Sequence, residues 1–154
     1  MAGILDAQGS KAILVGIGRS DRRTLDYNIS GAPAFYNFIT LDLIPSIEKQ
    51  YRVRSTNRTL AEHSFGGLFV GLALFMDRAG GRFFNNFVAL EGTFNIDPFT
   101  SSSIATMEQQ MFDASGGRLP ITLLMSGATC CYYGTTQELY NKICARNYQG
   151  FTSP

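Results

Sequence analysis

The sequence predicts an α/β fold with a mostly parallel sheet of about four strands and helices on both faces. Three observations carry this expectation. The chain has 154 residues and is 45% hydrophobic, enough for one sizeable core and too short for two ordinary domains, so residues 1–154 form a single domain. Ala12-Ile13-Leu14-Val15-Gly16-Ile17 is a short apolar run of the kind found in strands buried on both faces of a parallel sheet. Strand-like and helix-like segments then alternate along the chain, the pattern of successive parallel crossovers.

Taken in order, Ala12–Ile17 is the first strand and the polar, charged stretch from Arg19 to Ile29 a surface loop. From Ala34 to Tyr51, Phe35, Phe38, Ile39, Leu43 and Ile47 recur near helical spacing, which predicts a helix kinked or restarted at Pro45. Asn57 to Glu62 reads as the second strand, with an apolar, small-residue helix over Gly66 to Met76 directly after it. Phe87 to Leu90 is the third strand, followed by a serine-rich loop through Thr100 to Ser103 and a helix over Ile104 to Phe112. Ile121 to Met125 is the fourth strand, and Thr135-x-x-Glu138 has the form of a capping box opening a last helix with Leu139, Ile143 and Cys144 on its apolar side.

Composition narrows the function. Thirteen Lys plus Arg against twelve Asp plus Glu leave a net charge of +1 without a basic run, which disfavours nucleic acid as a partner. The longest apolar stretch, Leu68 to Met76, is far short of the roughly 18 residues of a membrane span, so no membrane association is expected. Met1-Ala-Gly-Ile-Leu-Asp lacks the basic and apolar regions of a secretory signal, and the default expectation is a cytoplasmic protein. Cys130, Cys131 and Cys144 have no zinc-ligand spacing and read as reduced thiols, so no metal is expected. Gly16-x-Gly18 lacks the third glycine of a dinucleotide fingerprint, and no cofactor is expected.

One motif carries chemistry. Glu62-His63-Ser64-Phe65-Gly66-Gly67 falls where a strand passes into a helix, the setting in which a nucleophile elbow holds a serine hydroxyl above the sheet. It is G-x-S-x-G with Glu62 in place of the first glycine. Gly66 and Gly67 allow the turn and the close approach of helix to strand, and the Phe65 N–H at the helix start can donate to an oxyanion.

The run Arg58 to Phe69, preceded by Ile13-Leu14-Val15-Gly16-Ile17-Gly18 and the Asp21-Arg22-Arg23 to Asp26 loop, resembles an esterase family of the α/β-hydrolase superfamily. That family contains siderophore (enterobactin-type) esterases and S-formylglutathione hydrolases. The likeness extends over Phe35 to Tyr51 and Tyr140 to Gly150. It implies a partial α/β-hydrolase fold, a small-molecule ester as substrate, Ser64 as nucleophile and the Phe65 amide as one oxyanion donor.

The departures from the family are as informative. Where its members carry the triad acid after the fourth strand, Met125 to Cys130 offers no carboxylate, and the family's histidine lies after one further strand. The single histidine, His63, adjoins Ser64 and is expected to be a packing or elbow-stabilising residue, because a catalytic imidazole must approach the hydroxyl from across the pocket to within about 3 Å. A central strand between Ala12–Ile17 and Asn57–Glu62 is also without a counterpart, so the chain reads as truncated at both ends. Either these two strands pair directly, or strand exchange within a homo-oligomer, or another segment, fills the gap. The expectation is a serine-ester hydrolase-like domain that is inactive as this chain. The alternative is a non-catalytic binding or interaction domain on the same scaffold. Glu91, at the carboxyl end of the third strand, is the candidate replacement acid, with a solvated glutamate as the simpler reading. Asp21 and Arg22 are candidate substrate contacts, or else simply a solvated charged loop.

Overall fold

The structure, a computed structural model, describes residues 3, 7–9, 11–18, 21–77, 81–127 and 133–154. Three parallel strands, β1 (Thr59–His63), β2 (Asn86–Leu90) and β3 (Thr122–Ser126), form a sheet in the order β1-β2-β3. Leu60 pairs with Phe87 and Phe87 with Leu123, so these three share one face. Phe87 and Leu123 on that face are buried, whereas Ala61 and Leu124 on the other are exposed. Strands added in sequence by right-handed crossovers all move the same way, which places the connecting helices on a common face.

Before the sheet come α1 (Arg23–Asp26), α2 (Ala32–Asn37), a π-helical segment Phe38–Leu43, and α3 (Ile44–Gln50). The helix does start again at Pro45, which stands in the first turn of α3, and the change of helix type falls just before it. Pro45 has no N–H to donate, and the wider π turn carries the chain into α3. The charged loop is in part α1, whose last residue, Asp26, is buried.

Within the sheet region, α4 (Phe65–Met76) is buried from Gly66 to Leu74, and its Leu68, Phe69 and Leu72 join Phe87, Leu123 and Ile143 in the core. It ends at Asp77, whose fully buried carboxylate accepts from the Tyr36 hydroxyl at 2.9 Å and from the Phe83 and Phe84 N–H groups at 2.9 and 3.1 Å. One carboxylate thereby ties α2 to the loop before β2.

The serine-rich stretch is not a loop. It lies inside α5 (Pro98–Ser115), because Asp97 accepts the Thr100 N–H at 2.8 Å as N-cap and Pro98 opens the helix. The hydroxyls of Ser101 and Ser102 turn back onto the carbonyls of Asp97 and Phe99. Likewise α6 spans Tyr133–Ala145, so Thr135 stands within the helix and not at its N-cap.

Ala12–Ile17 forms no strand: Ile13, Leu14, Val15 and Ile17 are exposed, since an apolar run becomes a strand only beside a partner ladder. Beyond α6, Gln149–Thr152 runs parallel to the β3 side of the sheet, with the Thr152 carbonyl accepting from Leu123 N–H at 2.9 Å. No helix among the described residues is long and apolar enough to cross a membrane.

Candidate active site

Ser64 is the single residue between the end of β1 and the start of α4, at φ 60° and ψ −123°. A serine at positive φ costs on the order of 1–3 kcal/mol and persists only where its surroundings enforce it. Here they do. The Ser64 N–H donates to Leu90 O at 2.7 Å, and Ser64 O accepts from the Gly67 and Leu68 N–H groups at 2.8 and 3.3 Å. The side chain is half-buried and does not cap α4, which leaves its hydroxyl uncommitted to the helix. Phe65 opens α4, so no preceding turn supplies an acceptor for its N–H.

Both glycines after the serine answer to contacts. A Cβ on Gly67 would stand 2.9 Å from Gly92 Cα and 3.0 Å from Leu90 O, both rigid backbone, so only glycine lets α4 lie this close to the end of β2. A Cβ on Gly66 would meet the Glu62 carboxylate at 2.6 Å. Glu62, which stands where the motif usually has glycine, thus lies along the first turn of α4.

The strand ends are laced together at this edge. Glu91, also at positive φ (53°), donates its N–H to Ser126 O at 2.7 Å, as Ser64 does to Leu90. The Glu91 carboxylate lies 3.4 Å from His63 Nε2, with both side chains largely exposed. The imidazole is therefore directed to the end of β2. Thr136, in the first turn of α6, donates its hydroxyl to Gly92 O at 3.3 Å.

The charged loop reaches the elbow through a residue that the sequence did not single out. The Tyr27 ring lies 5.6 Å from Phe69 and 6.5 Å from Phe65, and its hydroxyl faces Glu62 Oε1 at 3.5 Å. Burial, with the Glu62 carboxylate adding to it, raises the Tyr27 pKa above that of an ordinary phenol. The available signal was Asn28, whose Oδ1 accepts from Ser30 and Gly31 N–H at 2.9 and 3.1 Å and sets the turn after Tyr27. Asp21 is exposed, and Arg22 Nε donates to Asp26 Oδ1 at 3.3 Å within the same loop. Cys130 and Cys131 lie outside the described residues, while Cys144 is a partly buried free thiol.

No protein-family model matches the sequence. A stretch of 40 residues is 48% identical to the ferri-bacillibactin esterase BesA of Bacillus subtilis (strain 168), covering 26% of this chain and 14% of that protein. Among solved structures, the BES protein from Bacillus cereus superposes with a TM-score of 0.72 at 18% identity, over 91% of this chain and 56% of the other. An IroE-like serine hydrolase from Shewanella oneidensis superposes with a TM-score of 0.70 at 22% identity, over 90% of this chain and 50% of the other. The chain thus spans about half the length of these structures and a much smaller share of the curated relative. The fold is of the α/β-hydrolase type.

Proposed function

We propose that the chain is a carboxylic-ester hydrolase-like domain in which Ser64 is the nucleophile and the Phe65 N–H one oxyanion donor. The observation that carries this reading is the positive-φ serine held between β1 and the glycine-opened α4 by the Leu90 carbonyl. Kinship to a ferri-bacillibactin esterase favours small-molecule esters of the siderophore type as the substrate class. In the reaction the Ser64 hydroxyl adds to the ester carbonyl, the Phe65 amide stabilises the tetrahedral oxyanion, the alcohol leaves, and water releases the acyl group.

As this chain, the domain turns over slowly. Its one histidine faces Glu91, and these 154 residues hold no other to take the Ser64 proton. Loss of the base in a serine triad costs on the order of a millionfold in turnover, leaving what the oxyanion hole and binding supply. The same engagement of His63 by Glu91 favours, as the second reading, a domain that binds esters without turning them over. Hydrolysis of a p-nitrophenyl ester by the purified chain, with Ser64→Ala as control, separates the two. A slow rate abolished by Ser64→Ala supports the hydrolase reading; a rate indistinguishable from the control supports the binder.

A further inference from the structure

At the end of the sheet opposite Ser64, α2 and the π-helical segment face α5 across a groove of about 860 Å³. Known small-molecule sites span roughly 300–1,000 Å³. Phe75 and Met76 from α4, with Met107 and Met111 from α5, give it apolar walls. Methionine side chains adapt to the shape of what they bind. Thr40 and Leu41 on the facing wall belong to the π-helical segment, a geometry frequent at functional sites.

Two charged groups, Asp77 and Arg82, line this groove. Arg82 Nε and Nη1 are shut off from solvent and have no hydrogen-bond acceptor among the described residues. Burial lowers the pKa of the guanidinium, with the Asp77 charge opposing, yet arginine keeps its proton in proteins. The Asp77 carboxylate accepts from Tyr36, Phe83 and Phe84, and no hydrogen bond joins it to Arg82. A buried cation lacking acceptors has a standing preference for an entering oxyanion. With the Asp77 carboxylate beside it, one guanidinium among apolar walls suits a monoanion with an apolar body better than a multiply charged phosphate.

We propose that this groove binds an amphipathic monocarboxylate, with its carboxylate on Arg82 and its chain along the methionine wall. The site is independent of the chemistry at Ser64. Isothermal titration of the full chain with octanoate, octanol and inorganic phosphate tests it, using Arg82→Met, Met107→Glu and Ser64→Ala. Octanoate should bind, while octanol and phosphate should not. Arg82→Met should weaken octanoate binding by roughly tenfold or more. It should also leave the melting temperature equal or higher, because an unpaired buried charge is gone. Met107→Glu, which sets a carboxylate on the wall, should weaken octanoate binding too, and it decides the matter if Arg82→Met fails to fold. Ser64→Ala should bind as the parent does. Absence of octanoate binding, equal binding of octanol or phosphate, or binding unchanged in the groove variants would overturn the proposal.

Discussion

His63 Nε2 lies 3.4 Å from Glu91 Oε2, so the imidazole next to the elbow serine is engaged at the end of β2. The pair is exposed, and exposed pairs contribute little to stability. His63→Gln should therefore change unfolding free energy by no more than about 0.5 kcal/mol. It should also leave any Ser64-dependent ester cleavage within a few-fold of the parent. Chemical denaturation and p-nitrophenyl ester assays check both. A fall in cleavage to the Ser64→Ala level would make His63 the base.

Gly67 sets how closely α4 approaches β2. Gly67→Ala should destabilise by about 1–3 kcal/mol, the usual range for overpacking, because its Cβ would meet the backbone of Gly92 and Leu90 at 2.9 and 3.0 Å. Gly81→Ala, where a Cβ has open space, is the control. Thermal unfolding of the two variants gives the comparison.

Glu108 on α5 is fully buried and accepts from Arg146 at 2.9 Å, with Lys142 at 2.8 Å. Burial raises its pKa, but the Arg146 and Lys142 hydrogen bonds outweigh that and hold the carboxyl below its ordinary 4.5. A carboxyl depressed in the folded state contributes its stability in full above the unfolded value, and loses it as pH falls through the folded one. Glu108→Gln should cost on the order of 2 kcal/mol at neutral pH and flatten the acid side of the stability profile. Urea unfolding across pH measures it.

The outer edge of β1 has no strand beside it among the described residues, and Ile13, Leu14, Val15 and Ile17 are exposed. Unpaired strand edges and exposed apolar runs favour association. Self-association that fills the gap beside β1 predicts a concentration-dependent dimer by sedimentation, reduced by Leu14→Lys together with Val15→Lys. A monomer at all concentrations would exclude strand exchange between copies.

The segment from β1 through β2 was legible in the sequence because each element is local: an apolar run, a serine-glycine junction, a helix apolar on all sides, another run. Ala12–Ile17 was not, since its hydropathy is that of a strand but its state depends on a neighbour. The Thr100–Ser103 tract was misjudged on composition, where the Asp97 cap and Pro98 decide the helix start. Tyr27 beside the elbow, the aim of His63 at Glu91 and the unpaired Arg82 depend on contacts between distant parts of the chain. Beyond the Asn28 turn signal after Tyr27, no periodicity or motif reports them.

As the proposed nucleophile of an elbow, Ser64 is expected to attack a carbonyl or phosphorus centre. The most direct measurement is the attachment site of a small fluorophosphonate on the folded chain, mapped by peptide mass spectrometry. The elbow predicts slow labelling confined to Ser64 and absent from Ser64→Ala. Label shared among exposed serines such as Ser30 and Ser102, or unchanged in Ser64→Ala, would contradict it.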